Sequence, residues 1–374
     1  MRTVKLFNQM SRTVFCSLLL FVSSFAKASD FVVDGIAYNA VSMDDMTCEV
    51  TFDETVNYSG SISIPSEVTY NSRIFTVVGI GYQSFKQCKE ITDVKLPETI
   101  KSIGEDAFKN CTQLLSINVP ESVNSIGAAA FRGCSLLETV NLPANLTVLK
   151  SDLFNNCEAL KEIVIPENVE SIEAGAFIYC SSLKTITIPQ KCKKIGNNSF
   201  NYCTELTKAT ILSKDIAING YYITGLVFPF KGCDKLTEVN LSNYISIVFF
   251  DFPILENVTF FEGTRWDDVV NDFDDTVKMK QFTILEKEPP TQTFTFSNSQ
   301  YMNVMLVVPE GSLELYKSTE PWSKFWNITA YQGETGVDKI TCEEVQKRNI
   351  KTVKNNKIII KTANDSYNIN GIKL

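Results

Sequence analysis

One spacing dominates this sequence, because a single pattern of residues returns every 23 positions. A phenylalanine marks each copy, and a cysteine follows it three residues later. The phenylalanines are Phe85, Phe108, Phe131, Phe154, Phe177 and Phe200, and the cysteines are Cys88, Cys111, Cys134, Cys157, Cys180 and Cys203. A fixed period of this length is typical of solenoids, in which each repeat forms one coil of a stack. A lone coil buries too little apolar surface to fold, so only stacked coils are expected to be stable.

One unit reads F-x-x-C-x-x-L-x-x-I-x-I-P-x-x-V-x-x-I-G. In the second copy, Ile117 and Val119 alternate with polar Ser116 and Asn118, which is the pattern of a strand with one buried face. Pro120 ends this strand because proline has no N–H to donate. The next two apolar positions are expected to return across the core, and the glycine to turn the chain towards the next phenylalanine.

The pattern extends beyond the regular copies in both directions. Residues 62–64 resemble an earlier coil, and residues 230–241 restore the pattern after a 30-residue step. Shorter apolar strands follow at 255–260, 282–284 and 304–308. The sequence therefore predicts a β-rich solenoid of about eleven coils, which would form a rod about 50 Å long at ~4.8 Å per strand.

Both ends of the array depart from the repeat, as expected for segments that cap an apolar core. Val33-Asp34-Gly35-Ile36 is a hairpin turn signal. Near the other end, a short capping helix is predicted, built from apolar residues that we expect to pack together. They are Leu313, Leu315, Tyr316, Trp322, Phe325 and Trp326. We divide the chain into a signal peptide (1–28), an N-terminal β cap (29–60), regular repeats (61–212), irregular repeats with a C-terminal cap (213–332) and a tail (333–374).

The first 28 residues have the features of a cleavable secretory signal. Three basic residues precede an apolar run over 14–25, and Ala26-Lys27-Ala28 suits cleavage just before Ser29. The apolar run is too short for a lasting membrane anchor, and no later segment is long enough either. Removing four basic residues with this segment leaves 31 basic against 43 acidic residues, a formal charge of −12. Such a charge disfavours nucleic acid as a partner.

The repeat residues make the chain resemble the BspA-like leucine-rich repeat family of bacterial surface and secreted proteins. The resemblance covers roughly residues 30–330 and depends on Ala107-Phe108-x-x-Cys111 with Leu114, Ile117 and Pro120, repeated in five or six copies. It implies a right-handed leucine-rich-repeat solenoid. Members of this family from mucosal anaerobic bacteria are implicated in adhesion to host proteins and in contacts between cells, and the family brings no catalytic motif.

The last segment resembles the front part of a C-terminal secretion or sorting tail of the same bacteria. The residues concerned run from Asn356 to Gly371, and the second glycine-bearing strand of such tails does not follow before Leu374. A small appended β-segment is the alternative interpretation.

Catalysis is disfavoured, because the sequence contains no histidine and its acidic residues occupy variable repeat positions. No cofactor is expected. Of the eleven cysteines, those in the repeat column are predicted to be buried free thiols, while Cys48 and Cys342 are left open. No C-x-x-C pair suggests zinc. An acidic cluster around Trp266, from Asp267 to Asp275, is predicted to be a solvated helical face that extends through Phe273, not a calcium site.

The outward side of the strands is the best candidate surface, because stacked coils present a continuous row of side chains. One column holds Asp93, Ser116, Thr139, Glu162, Thr185 and Lys208, and a second holds Lys95, Asn118, Asn141, Val164, Thr187 and Thr210. These columns contain no aromatic residue. Aromatic anchors are more abundant in the irregular region, at Tyr221, Tyr222, Phe228, Phe249, Phe250 and Phe252, although these residues could equally fill widened coils.

Together these features predict a non-enzymatic binding or adhesion module outside the cytoplasm, at the cell surface, secreted or in the periplasm. Its expected partner is an extracellular or cell-surface protein or glycoprotein. The alternatives are a structural spacer that self-associates and, third, a glycan-degrading enzyme, which would need two carboxylates at glycosidase distance in a deep cleft.

Overall fold

A computed structural model describes residues 29–216, 229–243, 254–266, 272–273, 278–291, 295–332, 350–354, 357–361 and 366–368. The fold is a β-solenoid of about nine turns of about 23 residues, which confirms the predicted fold class. The expected number of about eleven coils is slightly too large. It included the segments at both ends, which join the stack without being complete repeat units.

The strands and helices are numbered in chain order. The strands of the N-terminal cap and first coil are β1 (Phe31–Val33), β2 (Ile36–Ser42), β3 (Thr47–Val50), β4 (Ser59–Ser63), β5 (Glu67–Tyr70) and β6 (Arg73–Ile80). The regular coils contain β7 (Glu90–Lys95), β8 (Ser102–Ile103), β9 (Ser116–Asn118), β10 (Ser125–Ile126), β11 (Thr139–Asn141), β12 (Val148–Leu149), β13 (Ser171–Ile172), β14 (Thr185–Ile188), β15 (Lys194–Ile195) and β16 (Lys208–Ile211).

The later coils and the tail complete the order of elements. They contain β17 (Glu238–Asn243), β18 (Asn257–Arg265), β19 (Asp272–Phe273), β20 (Gln281–Ile284), β21 (Thr295–Phe296), α1 (Asn298–Asn303), β22 (Met305–Val308), α2 (Leu313–Ser318), β23 (Asn327–Ala330), β24 (Ile350–Lys354), β25 (Lys357–Lys361) and β26 (Ser366–Asn368). Single 3-10 turns lie at Glu310–Ser312 and Trp322–Lys324.

The strands predicted from the alternating pattern form the main ladder of the solenoid. Strands β4, β7, β9 and β11 make one sheet, and β14, β16, β17, β18, β20, β22 and β23 make another, with parallel pairing throughout. Between them, residues 161–165 have no strand assignment, so the strand predicted through Glu162 and Val164 is wrong. The stacking step is nevertheless kept, because the Lys161 N–H donates to the Glu138 carbonyl and the Lys184 N–H donates to the Lys161 carbonyl.

A second ladder lies where the sequence predicted only a return across the core. It contains β6, β8 and β10, followed by β12, β13 and β15, again in parallel. Its strands are two residues long in the regular coils; in β10, Ser125 is exposed and Ile126 is buried. Gly127 follows directly, and a Cβ atom there would lie 2.3 Å from the Glu105 backbone nitrogen of the previous coil. The glycine therefore allows adjacent coils to approach closely.

The repeat phenylalanines form one continuous stack inside the solenoid. Neighbouring ring centroids from Phe85 to Phe200 are 5.1 to 5.6 Å apart, and Phe230 continues the stack at 4.9 Å after the 30-residue step. The six rings from Phe85 to Phe200 are completely buried. Stacked rings at this distance match the spacing of adjacent strands, so the core and the ladders impose the same rise per coil.

The N-terminal cap begins with the predicted hairpin. Strands β1 and β2 pair in antiparallel fashion, and Asp34 and Gly35 have positive φ angles of 49° and 76°, as a two-residue hairpin turn requires. Strand β3 then pairs in parallel with β6 and so joins the hairpin to the second ladder. The hairpin prediction is confirmed.

The C-terminal cap contains the predicted helix, but two residues of the predicted apolar group are exposed, Leu315 at 40% and Trp326. Helix α2 buries Tyr316, and Trp322 is fully buried with its indole N–H donating to the Pro290 carbonyl at 3.1 Å. Trp326 was expected in the same apolar group, yet it is 74% exposed. Phe325 is buried at the end of the 3-10 turn, and the next two side chains, those of Trp326 and Asn327, are both exposed as β23 begins.

The acidic cluster is described only in part. Trp266 packs on Phe260 at 4.9 Å and donates its indole N–H to Glu286 at 3.4 Å. Asp272 and Phe273 form β19, which pairs with β21, so the helix expected to extend through Phe273 is wrong at that point. The remaining acidic residues of the cluster, and the aromatic residues at 221, 222, 228, 249, 250 and 252, lie outside the described residues.

Candidate binding surface

The outward side chains of the main ladder form a surface that we call the strand face. The register stacks the predicted residues in two columns: Asp93 lies opposite Ser116, which in turn lies opposite Thr139. Further along, Thr185 pairs with Lys208. The register therefore stacks the predicted residues in the expected order on both sides of the gap at 161–165, which contains Glu162 and Val164.

Most of the predicted residues are accessible, but one is not. Lys95, Ser116, Asn118, Asn141, Glu162, Val164 and Thr185 are exposed, whereas Asp93, Thr139, Thr187 and Lys208 are partly buried. Thr210 is only 6% exposed, and its hydroxyl accepts a hydrogen bond from the Asn240 amide at 3.3 Å. The predicted surface location of Thr210 is wrong because the second column becomes buried where the regular coils end.

The side chains of the strand face hydrogen-bond along the columns. The side-chain amide of Asn141 donates to Asn118 Oδ1 at 3.1 Å, and the Ser61 hydroxyl donates to the Asp93 carboxylate at 3.0 Å. Lys208 forms an ion pair with Glu238 of the following strand. These contacts between coils order the polar side chains of the strand face.

The first column continues beyond the residues predicted from sequence. Glu238, Asn257, Gln281, Met305 and Asn327 follow Lys208 at the same register position. Their signal was the alternation of polar and apolar residues in each of the later strands. Those strands were predicted as coils, but the irregular spacing between them hid the continuation of the column.

An apolar group ends this column, which we call the apolar end. It consists of Met302, Met305 and Trp326, whose exposed fractions are 38%, 43% and 74%. The backbone places them together, because the Trp326 N–H donates to the Tyr301 carbonyl at 2.8 Å and Met305 pairs with Asn327. Trp326 was predicted to pack inside the cap, so this exposed aromatic side chain beside the strand face was not predicted.

Comparison with known families agrees with this geometry. The model of the BspA-type leucine-rich repeat region matches residues 78–207 in six copies. Residues 78–207 are a BspA-type leucine-rich repeat region. The matched segment includes the whole phenylalanine stack from Phe85 to Phe200 and ten of the twelve residues predicted for the strand face. Lys208 and Thr210 lie just beyond it.

Several solved structures are similar to this chain. A leucine-rich cell surface protein of Faecalibacterium prausnitzii is 22% identical, with 81% of this chain and 95% of that chain covered and a TM-score of 0.42. A leucine-rich repeat protein of Bacteroides ovatus is 22% identical over 81% and 100% of the two chains, with a TM-score of 0.33. The pneumococcal vaccine antigen PcpA is 14% identical over 81% and 98%, with a TM-score of 0.32. No protein with a curated description matches the chain.

Most of the repeat cysteines are buried, and their thiols are hydrogen-bonded between coils. Six thiols each donate a hydrogen bond to the carbonyl of a phenylalanine in the preceding coil, at distances from 3.0 to 3.3 Å; they belong to Cys111, Cys134, Cys157, Cys180, Cys203 and Cys233. The described cysteines are all free, including Cys48, and Cys342 lies outside the described residues. Burial raises the pKa of Cys134 to about 12 and the pKa values of Cys48, Cys88 and Cys192 to about 11. The prediction of buried free thiols is confirmed for the repeat column from Cys111 to Cys203, whereas Cys88 is free but only partly buried.

These thiols should make the folded protein both unreactive and sensitive to alkali. At pH 8, iodoacetamide should leave Cys134, Cys157 and Cys180 unmodified in the folded protein and modify them in urea, because the thiolate is the reacting form.

A folded-state pKa raised above the unfolded value of about 8.5 adds stability below that pH. That contribution is lost as the pH rises towards 11 or 12. Urea unfolding at pH 8 and pH 10.5, with reductant present, should therefore show a lower midpoint at the higher pH. Equal midpoints at the two pH values would contradict this.

Two kinds of feature are absent from the part of the chain that the structure describes. No group of three or more His, Cys, Asp or Glu side chains there is arranged to hold a metal ion. Within the same residues, no helix has the length and apolar character needed to cross a membrane.

Proposed function

We propose that this protein is a non-enzymatic binding module that holds an extracellular or cell-surface protein or glycoprotein against its strand face. The observation that carries the proposal is the first column, in which exposed and partly buried side chains, most of them polar, stand in register along the solenoid and lead to the exposed Trp326. We further propose that the protein acts outside the cytoplasm, which the signal-like sequence of residues 1–28 supports.

The two parts of this surface suit different tasks in binding. Short polar side chains such as Ser116, Asn118 and Thr185 contribute hydrogen bonds and little conformational entropy cost. The apolar end offers an indole and two flexible methionines, and tryptophan is enriched among the residues that carry most of the binding free energy. A partner that spans the first column would therefore be positioned by the polar residues and anchored at Trp326.

The alternative function is a spacer that self-associates. It is favoured by the two ends of the main ladder, where β4 and β23 each pair on one side alone among the described strands. Such edges are templates for pairing with another chain. Oligomers that grow with concentration in light scattering, together with no binding to foreign ligands, would support the spacer.

Binding tests separate these possibilities. The protein from Ser29 onwards should bind at least one member of a panel of extracellular-matrix proteins, mucins and glycans. Trp326→Ala should weaken that binding about 30-fold, the equivalent of about 2 kcal/mol for a central anchor. A second variant, Glu162→Arg with Thr185→Arg, should weaken it by a similar factor because bulky charges would stand in the first column.

A matched control alters the other side of the coil. Ser125 and Lys194 are exposed on the second ladder, so Ser125→Arg with Lys194→Glu should leave the affinity within about twofold. Full binding by both strand-face variants would contradict the proposed surface, and binding lost in the control alone would move the site to the second ladder.

A further inference from the structure

The carboxylate of Asp53, in the N-terminal cap, lies within hydrogen-bonding distance of four donors, two from Ser29 and two from Thr55. The backbone nitrogen and the hydroxyl of Ser29 lie 3.2 and 2.6 Å from Asp53 Oδ2. The backbone N–H and hydroxyl of Thr55 donate to Oδ1 at 2.9 and 2.6 Å. Asp53 is only 9% exposed, and the Ser29 hydroxyl together with the Thr55 donors holds the pKa of its carboxyl far below the usual range. The site therefore keeps the Asp53 carboxyl ionised and would favour a cationic donor beside it.

Ser29 also directly follows the predicted signal-cleavage point in the sequence. Ala26-Lys27-Ala28 precedes it, with small residues at the first and third positions before the Ala28–Ser29 bond. That arrangement is the one that signal cleavage requires. The backbone nitrogen of Ser29 is thus both the predicted cleavage point and a neighbour of the Asp53 carboxylate.

We propose that the Ala28–Ser29 peptide bond is a processing site, and that the ammonium group released at Ser29 forms an ion pair with Asp53 that completes the N-terminal cap. In this step water is the co-reactant. Its oxygen bonds to the Ala28 carbonyl carbon as the C–N bond breaks, so Ala28 leaves as a carboxylate and Ser29 nitrogen becomes an ammonium by taking up protons. The amide that donates to Asp53 in the uncleaved chain is replaced by a full positive charge at the same atom.

The surrounding contacts explain why an ion pair here would matter for the cap. The Asp30 N–H donates to the Tyr38 carbonyl at 2.9 Å, which ties the chain start to β2. Asp53 lies in the connection between β3 of the cap and β4 of the first coil. A bond from Ser29 to Asp53 therefore joins the first residues of the processed chain to the segment that links the cap to the solenoid.

The first test identifies the processed end. The full chain is expressed in a bacterial cell that exports it, and the exported protein is analysed by intact mass and N-terminal peptide mass spectrometry. A chain that starts at Ser29 is expected. A chain that starts at any other residue would overturn the proposal, because the ammonium would then be away from Asp53.

The second test measures the charge at Ser29. The pKa of the α-amino group is obtained from the pH dependence of its acylation rate, read by mass spectrometry of the N-terminal peptide in the folded exported protein. An ordinary α-amino group has a pKa of about 7.7 to 8.0, and we expect the value at Ser29 to be higher by about one unit. In Asp53→Asn it should return to the ordinary range, so acylation at pH 7.5 should be about tenfold faster.

A control removes a carboxylate from the adjacent residue. Asp30 accepts a hydrogen bond from the Ala40 N–H at 2.9 Å in an exposed position, so Asp30→Asn should disturb the cap locally but leave the α-amino pKa raised. Equal α-amino pKa values in the native protein and Asp53→Asn would overturn the ion pair. Circular dichroism of each variant establishes that the values come from folded protein.

The pH dependence of unfolding gives a readout that does not depend on chemical labelling. A raised amine pKa adds stability below about pH 8 that is lost as the pH rises through the folded value, and a lowered carboxyl pKa adds stability above about pH 4. The native protein should therefore have a higher midpoint of unfolding than an Nα-acetylated sample between these limits, with the difference vanishing at pH 10. A constant difference across the whole range would count against the ion pair.

Discussion

Replacing Phe154 with alanine should lower the free energy of unfolding by about 4 kcal/mol, because it opens a cavity in the middle of the ring stack. Phe154 is fully buried, and its ring lies 5.6 Å from Phe131 and 5.4 Å from Phe177. The neighbouring coils cannot collapse into the space, since backbone hydrogen bonds fix them on both sides, including one from the Phe154 N–H to the Ala176 carbonyl at 2.7 Å. Urea unfolding followed by circular dichroism measures the loss.

The position of Phe154 also predicts the shape of the transition. In a solenoid each coil contacts only its neighbours, so a defect in the middle weakens the coupling between the two halves. The variant should unfold over a broader range of urea than the native protein. Leu115→Ala provides the control, because Leu115 is 51% exposed and its loss should change the stability by less than about 0.5 kcal/mol. A similar loss for Leu115→Ala and Phe154→Ala would show that the ring stack is not what holds the coils together.

Gly127→Ala should destabilise the protein by about 3 kcal/mol or more, although it adds only one methyl group. The new Cβ would lie 2.3 Å from the Glu105 nitrogen and 2.6 Å from the Gly104 carbonyl carbon. Both atoms belong to the backbone of the preceding coil, so no side chain can rotate away and the coils must separate. That separation would lengthen hydrogen bonds of the second ladder beside the glycine.

Another glycine offers a matched comparison. A Cβ atom at Gly311 would have no heavy atom within 4 Å, so Gly311→Ala should change the melting temperature little. Gly127→Ala should lower the melting temperature by several degrees, measured by calorimetry on both variants. If the two substitutions had equal effects, the close approach of the coils at Gly127 would not be the cause.

The repeat made the regular coils predictable from sequence, because six copies report the same environment. The buried positions of Phe108, Cys111 and Ile117 followed from their recurrence, and the columns of the strand face followed from placing one copy above the next. The second ladder was not predicted, because its strands are two residues long and too short to show an alternating pattern.

The irregular coils and the caps were less predictable, because each of their contacts occurs once. Nothing in the local sequence distinguishes Thr210, which is buried, from Thr187, which is partly exposed; the difference arises where the coil length changes to 30 residues. The exposure of Trp326 depends on the direction in which the chain leaves Phe325. The contact of Ser29 with Asp53 joins residues 24 positions apart with no periodicity to predict it.

The ladders also determine how the protein would respond to a pulling force. Tension applied between the two ends acts along the stack. It therefore loads the hydrogen bonds between the terminal coils first and reaches the inner coils one after another. Each 23-residue coil that detaches would release about 80 Å of extended chain. A partner held by the central coils of the strand face under fluid shear would thus be connected through a tether that lengthens by detaching its outermost coils while the central coils stay folded.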